Sequence, residues 1–158
     1  MNGASPALGS VLALSCDHRV MLADNPKFRF GLNETALGMT PPIWLTALAE
    51  RTAGQRGAEI VLQRGLLLPA EDAHRIGYID DLASDESDLD EKVMRAMNQM
   101  LAVGQGARAE CKYNQRREVL ELSGKKSVDY MAPRILGEEF QSMGRAVLEQ
   151  LAARKAKK

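Results

Sequence analysis

Apolar residues cluster in the first part of the chain and predict a helix that begins almost at once. They occupy nearly every side of the segment Ser5–Leu14, which predicts a helix buried all round. Serine is a good N-cap, and proline suits the first helical position because it needs no hydrogen-bond donor there. We therefore expect Ser5 to cap this helix and Pro6 to open it.

The remaining pattern predicts short extended segments between helices of increasing length. Extended segments are expected at Val20–Ala23, Phe28–Phe30 and Tyr78–Leu82. Shorter helices are expected at Ile43–Ala49, Glu59–Gln63 and Ala70–Ile76. Two longer helices have apolar faces, formed by Leu89, Val93, Met97, Met100 and Leu101 and by Phe140, Met143, Val147, Leu148 and Leu151. Met94, Met97 and Met100 are expected to fill the core.

Composition narrows the class of protein. Hydrophobic residues form 45% of the 158-residue chain and charged residues 27%, which is typical of a globular domain with a core. The formal net charge is zero, so no general attraction to nucleic acid or an anionic membrane is expected. No apolar run has the ~18 residues that cross a bilayer. Cys16, Cys111, His18 and His74 show no metal-ligand spacing, and we expect no metal and reduced thiols.

The start of the first helix is a candidate oxyanion site. Backbone N–H groups in the first helical turn have no partner within the helix, and the helix dipole adds partial positive charge. Gly9 would let a substrate approach the backbone at Leu8. An ordinary structural helix is the alternative, because Ser5 as an N-cap would compete for the Leu8 N–H.

Glu34 is a candidate acid/base. It lies among apolar residues just beyond the predicted strand that ends at Gly31. Burial raises the pKa of a glutamate, and a raised pKa suits a base that works near neutral pH. An exposed glutamate in a turn is the alternative.

Taken together, the order and spacing of these motifs resemble the mitochondrial Δ3,Δ2-enoyl-CoA isomerases of the crotonase superfamily. The motifs are Met1–Gly9, Ser15–Arg19, Leu22–Pro26, Gly31–Thr35 and Trp44–Leu45, followed by Arg64–Leu67, Pro69–Ala73 and Gly77–Asp80. The resemblance implies an α/β fold: a truncated crotonase-type ββα spiral over residues 1–101, then a C-terminal helical oligomerisation region over residues 102–158. The family's first half, including its other oxyanion donor, would lie outside this sequence.

The resemblance also implies roles for particular residues. The family's catalytic glutamate corresponds to Glu34, and its second oxyanion donor to the backbone N–H of Leu8, where many relatives have glycine. Asn33 corresponds to a position beside the substrate thioester. Related hydratases carry a second glutamate where this chain has Val11, and a single carboxylate favours proton shuttling over hydration.

The implied activity is isomerisation of 3-enoyl-CoA to trans-2-enoyl-CoA in fatty acid β-oxidation, by proton transfer through Glu34. It needs no cofactor, since coenzyme A is part of the acyl-CoA substrate. The resemblance further implies a homotrimer in the mitochondrial matrix. Two alternatives stay open: another acyl-CoA enzyme of the same fold, such as a hydratase, or a truncated, non-catalytic chain that oligomerises.

Overall fold

The computed structural model describes residues 1–155; Lys157 and Lys158, at the end of the predicted helical region, lie outside the described residues. The elements, in chain order, are β1 (Ser5–Pro6), α1 (Leu8–Ser15), β2 (Val20–Leu22), β3 (Phe30–Gly31), a 3-10 turn (Thr35–Leu37), α2 (Ile43–Arg64), α3 (Ala70–Arg75), β4 (Asp81–Ala83), α4 (Glu86–Leu101), α5 (Gln105–Leu122), α6 (Lys125–Ile135) and α7 (Glu138–Lys155).

The strands form parallel pairs that bring distant segments together. β1 pairs with β3, with Ser5 opposite Phe30, and β2 pairs with β4, with Val20 opposite Asp81. Parallel strands cannot be joined by a tight hairpin and need a crossover connection. Here α1 and β2 lie in the crossover between β1 and β3. Because the two strands are parallel, their C-terminal ends lie side by side. The start of α1, which follows β1, therefore lies next to the end of β3.

The core lies where α1, β3, α2 and the segment before β4 meet. Phe30 and Tyr78 are both fully buried there, with ring centroids 5.9 Å apart and ring planes inclined by 50°. Val119 of α5 joins the same apolar cluster. The predicted helical region beyond residue 101 therefore contacts the core, while the division at that residue stays a prediction.

The predicted start of the first helix is wrong. Ser5 and Pro6 form β1, and α1 begins at Leu8. The Ser5 N–H donates to the Arg29 carbonyl at 2.8 Å, so pairing with a distant strand overrides the local capping signal. The helix is also not buried all round, because Leu8 and Leu12 are 70% and 64% exposed.

The two helices expected at Ile43–Ala49 and Glu59–Gln63 are confirmed as the two helical segments of α2. Each is longer than predicted, and they meet at a kink at Gly54, where φ is 71° and ψ is 165°. One further expectation is wrong. In α4, Met94 and Met97 are exposed and do not fill the core.

The other predicted elements agree more closely with the structure. Tyr78 and Ile79 are buried, while the strand itself is displaced to Asp81–Ala83. Strand pairing near Phe28–Phe30 is confined to Phe30–Gly31. No helix within residues 1–155 combines the length and apolar character needed to cross a membrane.

Candidate active site

The pairing of β1 with β3 determines where α1 begins. The Ala7 N–H donates to the Gly31 carbonyl at 2.9 Å, so the chain leaves the strand pair immediately before the first helical residue. Ala7 makes this turn with φ of 47° and ψ of −113°, and its side chain forms no capping hydrogen bond. The Leu8 N–H thus opens the helix at its positive dipole end, where an anionic oxygen is stabilised.

Glu34 is buried in the turn that follows β3. Only 6% of its surface is exposed, and its Oε2 atom is buried without a hydrogen-bond partner among the described residues. Burial raises the pKa of the Glu34 carboxyl above its ordinary value, against a smaller opposing effect from a backbone hydrogen bond. The raised pKa makes the Glu34 carboxylate a stronger base than an exposed glutamate, which suits it to accept a proton.

The strand pair brings the candidate residues to one end of the sheet. Leu8 follows the residue that bonds to Gly31, and Glu34 comes shortly after Gly31 in the chain. At ~3.3 Å per extended residue, the Glu34 backbone lies within about 10 Å of Gly31. Asn33 lies between them, and its Oδ1 atom is also buried without a partner among the described residues. Leu8, Asn33 and Glu34 therefore form one candidate site.

Neighbouring helices hold the turn that carries Glu34. The Glu34 carbonyl accepts hydrogen bonds from the Leu37 N–H at 2.9 Å and the Met39 N–H at 3.0 Å. The Thr35 hydroxyl donates to the Leu62 carbonyl of α2 at 2.6 Å. A Cβ atom at Gly38 would lie 2.6 Å from the Met143 sulfur of α7. Contacts with α2 and α7 thus constrain the candidate base through its backbone.

Sequence reasoning missed Ser10. This residue is fully buried, and its hydroxyl donates to the Ser5 carbonyl and accepts from the Gly31 N–H at 2.8 Å. It therefore joins α1 to β1 and β3. The available signal was a polar residue on the inward face of an otherwise apolar helix, since such a group requires a partner when buried.

The histidines make polar contacts, the cysteines are exposed, and the tryptophan is partly buried. His18 Nε2 lies 3.0 Å from Asp81 Oδ2, and His74 Nδ1 lies 3.0 Å from the Ile79 carbonyl. Cys16 and Cys111 are free thiols at the surface. Trp44 is partly buried against the core. Across residues 1–155, no group of three His, Cys, Asp or Glu side chains is arranged to hold a metal ion.

The C-terminal end of α1 is held by arginines. Arg19 is buried and donates to the Tyr78 carbonyl at 2.8 Å and the Cys16 carbonyl at 3.1 Å. Arg116 of α5 donates to the Ser15 carbonyl at 2.6 Å. Cations at this end complement the helix dipole and the free carbonyls of the last turn. α1 is therefore fixed at its far end as well as beside Gly31.

Comparison with known proteins places these features in a family context. Residues 1–145 match the family model described as enoyl-CoA hydratase/isomerase. The chain is 44% identical over 108 residues to human mitochondrial enoyl-CoA delta isomerase 1, covering 68% of this chain and 35% of that protein. It is 33% identical over 105 residues to the crotonyl-CoA hydratase of Syntrophomonas wolfei, covering 66% of this chain and 39% of that protein.

Solved structures agree with these sequence matches. The crystal structure of human mitochondrial delta3-delta2-enoyl-CoA isomerase aligns with a TM-score of 0.88 and 35% identity, covering 97% of this chain and 60% of that one. An enoyl-CoA hydratase/isomerase from Pseudoalteromonas atlantica aligns with a TM-score of 0.77 at 19% identity, covering 94% of this chain and 59% of that one, which shows the fold alone. The chain spans about a third of the length of the curated relatives, at 35% and 39%.

Proposed function

The chain belongs to the enoyl-CoA hydratase/isomerase family, and from this premise we propose that it acts on acyl-CoA thioesters as an isomerase. The substrate is a 3-enoyl-CoA and the product is the conjugated trans-2-enoyl-CoA. Glu34 is the acid/base, the Leu8 N–H is an oxyanion donor, and Asn33 lies beside the thioester.

The proposed reaction moves one proton along the acyl chain. The Glu34 carboxylate removes a proton from C2, and the thioester carbonyl becomes an enolate oxygen. The Leu8 N–H donates a hydrogen bond to that oxygen, and one such donor typically lowers the barrier by ~3–4 kcal/mol. Protonated Glu34 then returns the proton to C4, so the double bond shifts and the carboxylate is regenerated.

The environment of Glu34 is the observation that supports this proposal most directly. The carboxyl group is almost fully buried, its Oε2 has no partner among the described residues, and its pKa is raised by that burial. An unpaired buried carboxyl group destabilises a fold, which argues for a role beyond packing. A proton shuttle between two carbon atoms makes use of such a group.

Hydration of trans-2-enoyl-CoA is the second candidate function. The 33% identical Syntrophomonas wolfei relative is named a crotonyl-CoA hydratase. Against this candidate, α1 contains no acidic residue, and Val11 is partly buried at the position where a second carboxylate would help activate water. We therefore favour isomerisation.

Further properties follow from the proposed activity. No cofactor is required, because Glu34 transfers the proton and coenzyme A is part of the substrate. We place the reaction in fatty acid β-oxidation and the protein in the mitochondrial matrix, since the human, mouse and rat relatives are named mitochondrial.

We propose a homotrimer, supported by exposed apolar side chains on α4, which are typical of association surfaces. Sedimentation analysis tests that assembly.

Replacement of Glu34 by glutamine tests the catalytic assignment. The change preserves size and removes the proton-accepting carboxylate, so Glu34→Gln should lower kcat for 3-enoyl-CoA isomerisation by about 10²–10⁴-fold. The control is Glu110→Gln, because Glu110 is exposed on α5. Turnover by Glu34→Gln at the wild-type rate would show that the assignment is wrong.

Product analysis separates the candidate functions. Incubation of the wild-type protein with trans-2-enoyl-CoA should yield no 3-hydroxyacyl-CoA, whereas incubation with 3-enoyl-CoA should yield the conjugated product. Formation of the hydroxy product as the faster reaction would favour the hydratase. Absence of both reactions would favour the non-catalytic alternative.

A further inference from the structure

The hydroxyl group of Ser10 is used differently from that of a typical helical serine. Serine within a helix often donates to the carbonyl four residues earlier, as Ser15 does to Val11 at 2.9 Å. Ser10 instead donates to Ser5 of β1 and accepts from the N–H of Gly31 in β3 at 2.8 Å. Its side chain is fully buried, so water does not replace these contacts.

Gly31 is held closely on its other side as well. A Cβ atom there would lie 2.2 Å from the Leu66 carbonyl oxygen, so the Gly31 backbone packs directly against the segment after α2. The Phe30 N–H also donates to the Leu68 carbonyl at 2.9 Å. β3 therefore lies between the Leu66–Leu68 segment and Ser10, whose side chain joins it to α1.

We propose that Ser10 is a positioning residue that sets the placement of the Leu8 N–H relative to the Glu34 carboxyl group. This inference rests on the proposed function. Leu8 opens the helix that carries Ser10, and Glu34 follows the strand whose N–H bonds to Ser10. One hydroxyl group thus links the element that stabilises the oxyanion to the element that carries the base.

The Ser10 hydroxyl group, rather than the volume of the side chain, should hold α1 in place relative to β3. Alanine would leave the buried Gly31 N–H without its side-chain acceptor, and a shift of α1 relative to β3 would follow. Catalysis is sensitive to such shifts, since a displacement of ~1 Å can lower a rate by about 10²-fold. Cysteine has a similar volume and a weaker donor and acceptor, so it should give an intermediate result.

Kinetics of Ser10 variants in the full chain test the proposal. Ser10→Ala should lower kcat for 3-enoyl-CoA isomerisation by about 10–10²-fold, with KM changed less than about two-fold. Ser10→Cys should fall between Ser10→Ala and wild type. The matched control is Ser15→Ala, which removes an exposed hydroxyl from the same helix and should leave kcat unchanged.

Separate measurements distinguish positioning from a loss of stability. The thermal midpoint of Ser10→Cys should stay within a few degrees of wild type while its kcat falls. A wild-type kcat in Ser10→Cys, or a parallel fall of kcat and folded fraction in both Ser10 variants, would overturn the proposal. If Ser10→Ala does not fold, Ser10→Cys alone decides by the same criteria.

Amide NMR makes this test independent of the proposed reaction. In Ser10→Cys, and in Ser10→Ala if it folds, the amide resonances of Leu8, Gly31 and Asn33 should shift and the Gly31 amide should exchange faster with solvent, whereas Ser15→Ala should leave them unchanged. If the wild type shows no isomerase turnover, the proposed function fails, and these resonances still decide whether Ser10 couples α1 to β3. Unchanged resonances in the Ser10 variants would overturn the coupling itself.

Discussion

The Ala7 N–H and the Gly31 carbonyl form a hydrogen bond of 2.9 Å between segments that lie far apart in the chain. Ala7 then turns through a positive φ, and α1 begins at the next residue. Gly31 ends β3, and the turn that carries Glu34 follows. This contact therefore helps to hold the start of the helix beside the strand that leads to the candidate base.

Replacement of Ala7 by glycine should stabilise the protein. Ala7 has φ of 47° and ψ of −113°, a region that costs a residue with a side chain about 1–3 kcal/mol. Glycine avoids this strain, and its greater freedom in the unfolded chain costs only about 0.4–1 kcal/mol. Relief of the strain outweighs that entropic cost, so the thermal midpoint of Ala7→Gly should rise by about 2–4 °C. A lower midpoint would mean that the turn is not strained.

Replacement of Gly31 by alanine should strongly destabilise the protein. The added Cβ would lie 2.2 Å from the Leu66 carbonyl oxygen, which is backbone and cannot rotate away. We expect a loss of more than about 2 kcal/mol in the free energy of unfolding, measured by urea denaturation.

The control for that substitution is Gly144→Ala in α7. No heavy atom of the described residues lies within 4 Å of a Cβ atom placed at Gly144, so the change adds a better helix former without a clash. It should raise the free energy of unfolding by about 0.5–1 kcal/mol. Equal effects of the two substitutions would contradict the close approach at Gly31.

The stability effect of Glu34→Gln should depend on pH. Burial raises the pKa of Glu34 in the folded protein, so the folded state binds this proton more tightly than the unfolded state. Wild-type stability should therefore fall as pH rises from about 4 through the folded pKa. The Glu34→Gln variant lacks this loss and should melt at a higher temperature than wild type at pH 8.

Thermal midpoints at about pH 4 and pH 8 measure this effect, since the lower value lies near the ordinary pKa of glutamate. The two proteins should melt at similar temperatures in acid, where Glu34 is protonated. The Glu110→Gln control should have the thermal midpoint of the wild type at both pH values, because Glu110 is exposed. If the thermal midpoints of Glu34→Gln and wild type differed by the same amount at both pH values, burial of the charge would not be the cause of the difference.

Asp17 should stabilise the contact between α5 and the segment that follows α1. Lys112 Nζ lies 2.7 Å from Asp17 Oδ1, and Arg108 pairs with the same carboxylate. The hydrogen bond from Lys112, followed by the effects of Arg108, lowers the pKa of Asp17 below its ordinary value despite partial desolvation. Partly exposed ion pairs contribute at most ~1 kcal/mol each, so Asp17→Asn should lower the thermal midpoint by about 2–4 °C at neutral pH.

This contribution should disappear in acid. Because the folded-state pKa of Asp17 is lowered, its stabilising effect is present above the unfolded-state pKa of ~3.9 and is lost as pH falls through the folded value. Asp129→Asn serves as the control, since Asp129 and Lys125 form a largely exposed pair at 3.4 Å. A constant Asp17→Asn penalty from about pH 7 down to about pH 2 would argue against the ion pairs.

Local sequence signals identified parts of the site but not their arrangement. The apolar surroundings of Glu34 indicated burial, and the structure buries it. The position of Leu8 in the first turn of α1 was also anticipated, although the helix begins later than predicted. The roles of Leu8, Asn33 and Glu34 stay predictions. Ser10 was missed because its partners, Ser5 and Gly31, meet only after β1 and β3 pair.

The sequence by itself determined the family and the α/β, crotonase-type fold, because its motifs recur in order and spacing, and the matches over residues 1–145 and to solved structures confirm both. It also determined most helix positions, since helical periodicity is a local property. Only the tertiary structure decided that Ser5 and Pro6 are a strand, that Leu8 and Leu12 are exposed, and that Ser10 bonds to β3. Each of these depends on contacts between distant segments, and local propensities are too weak to determine such contacts.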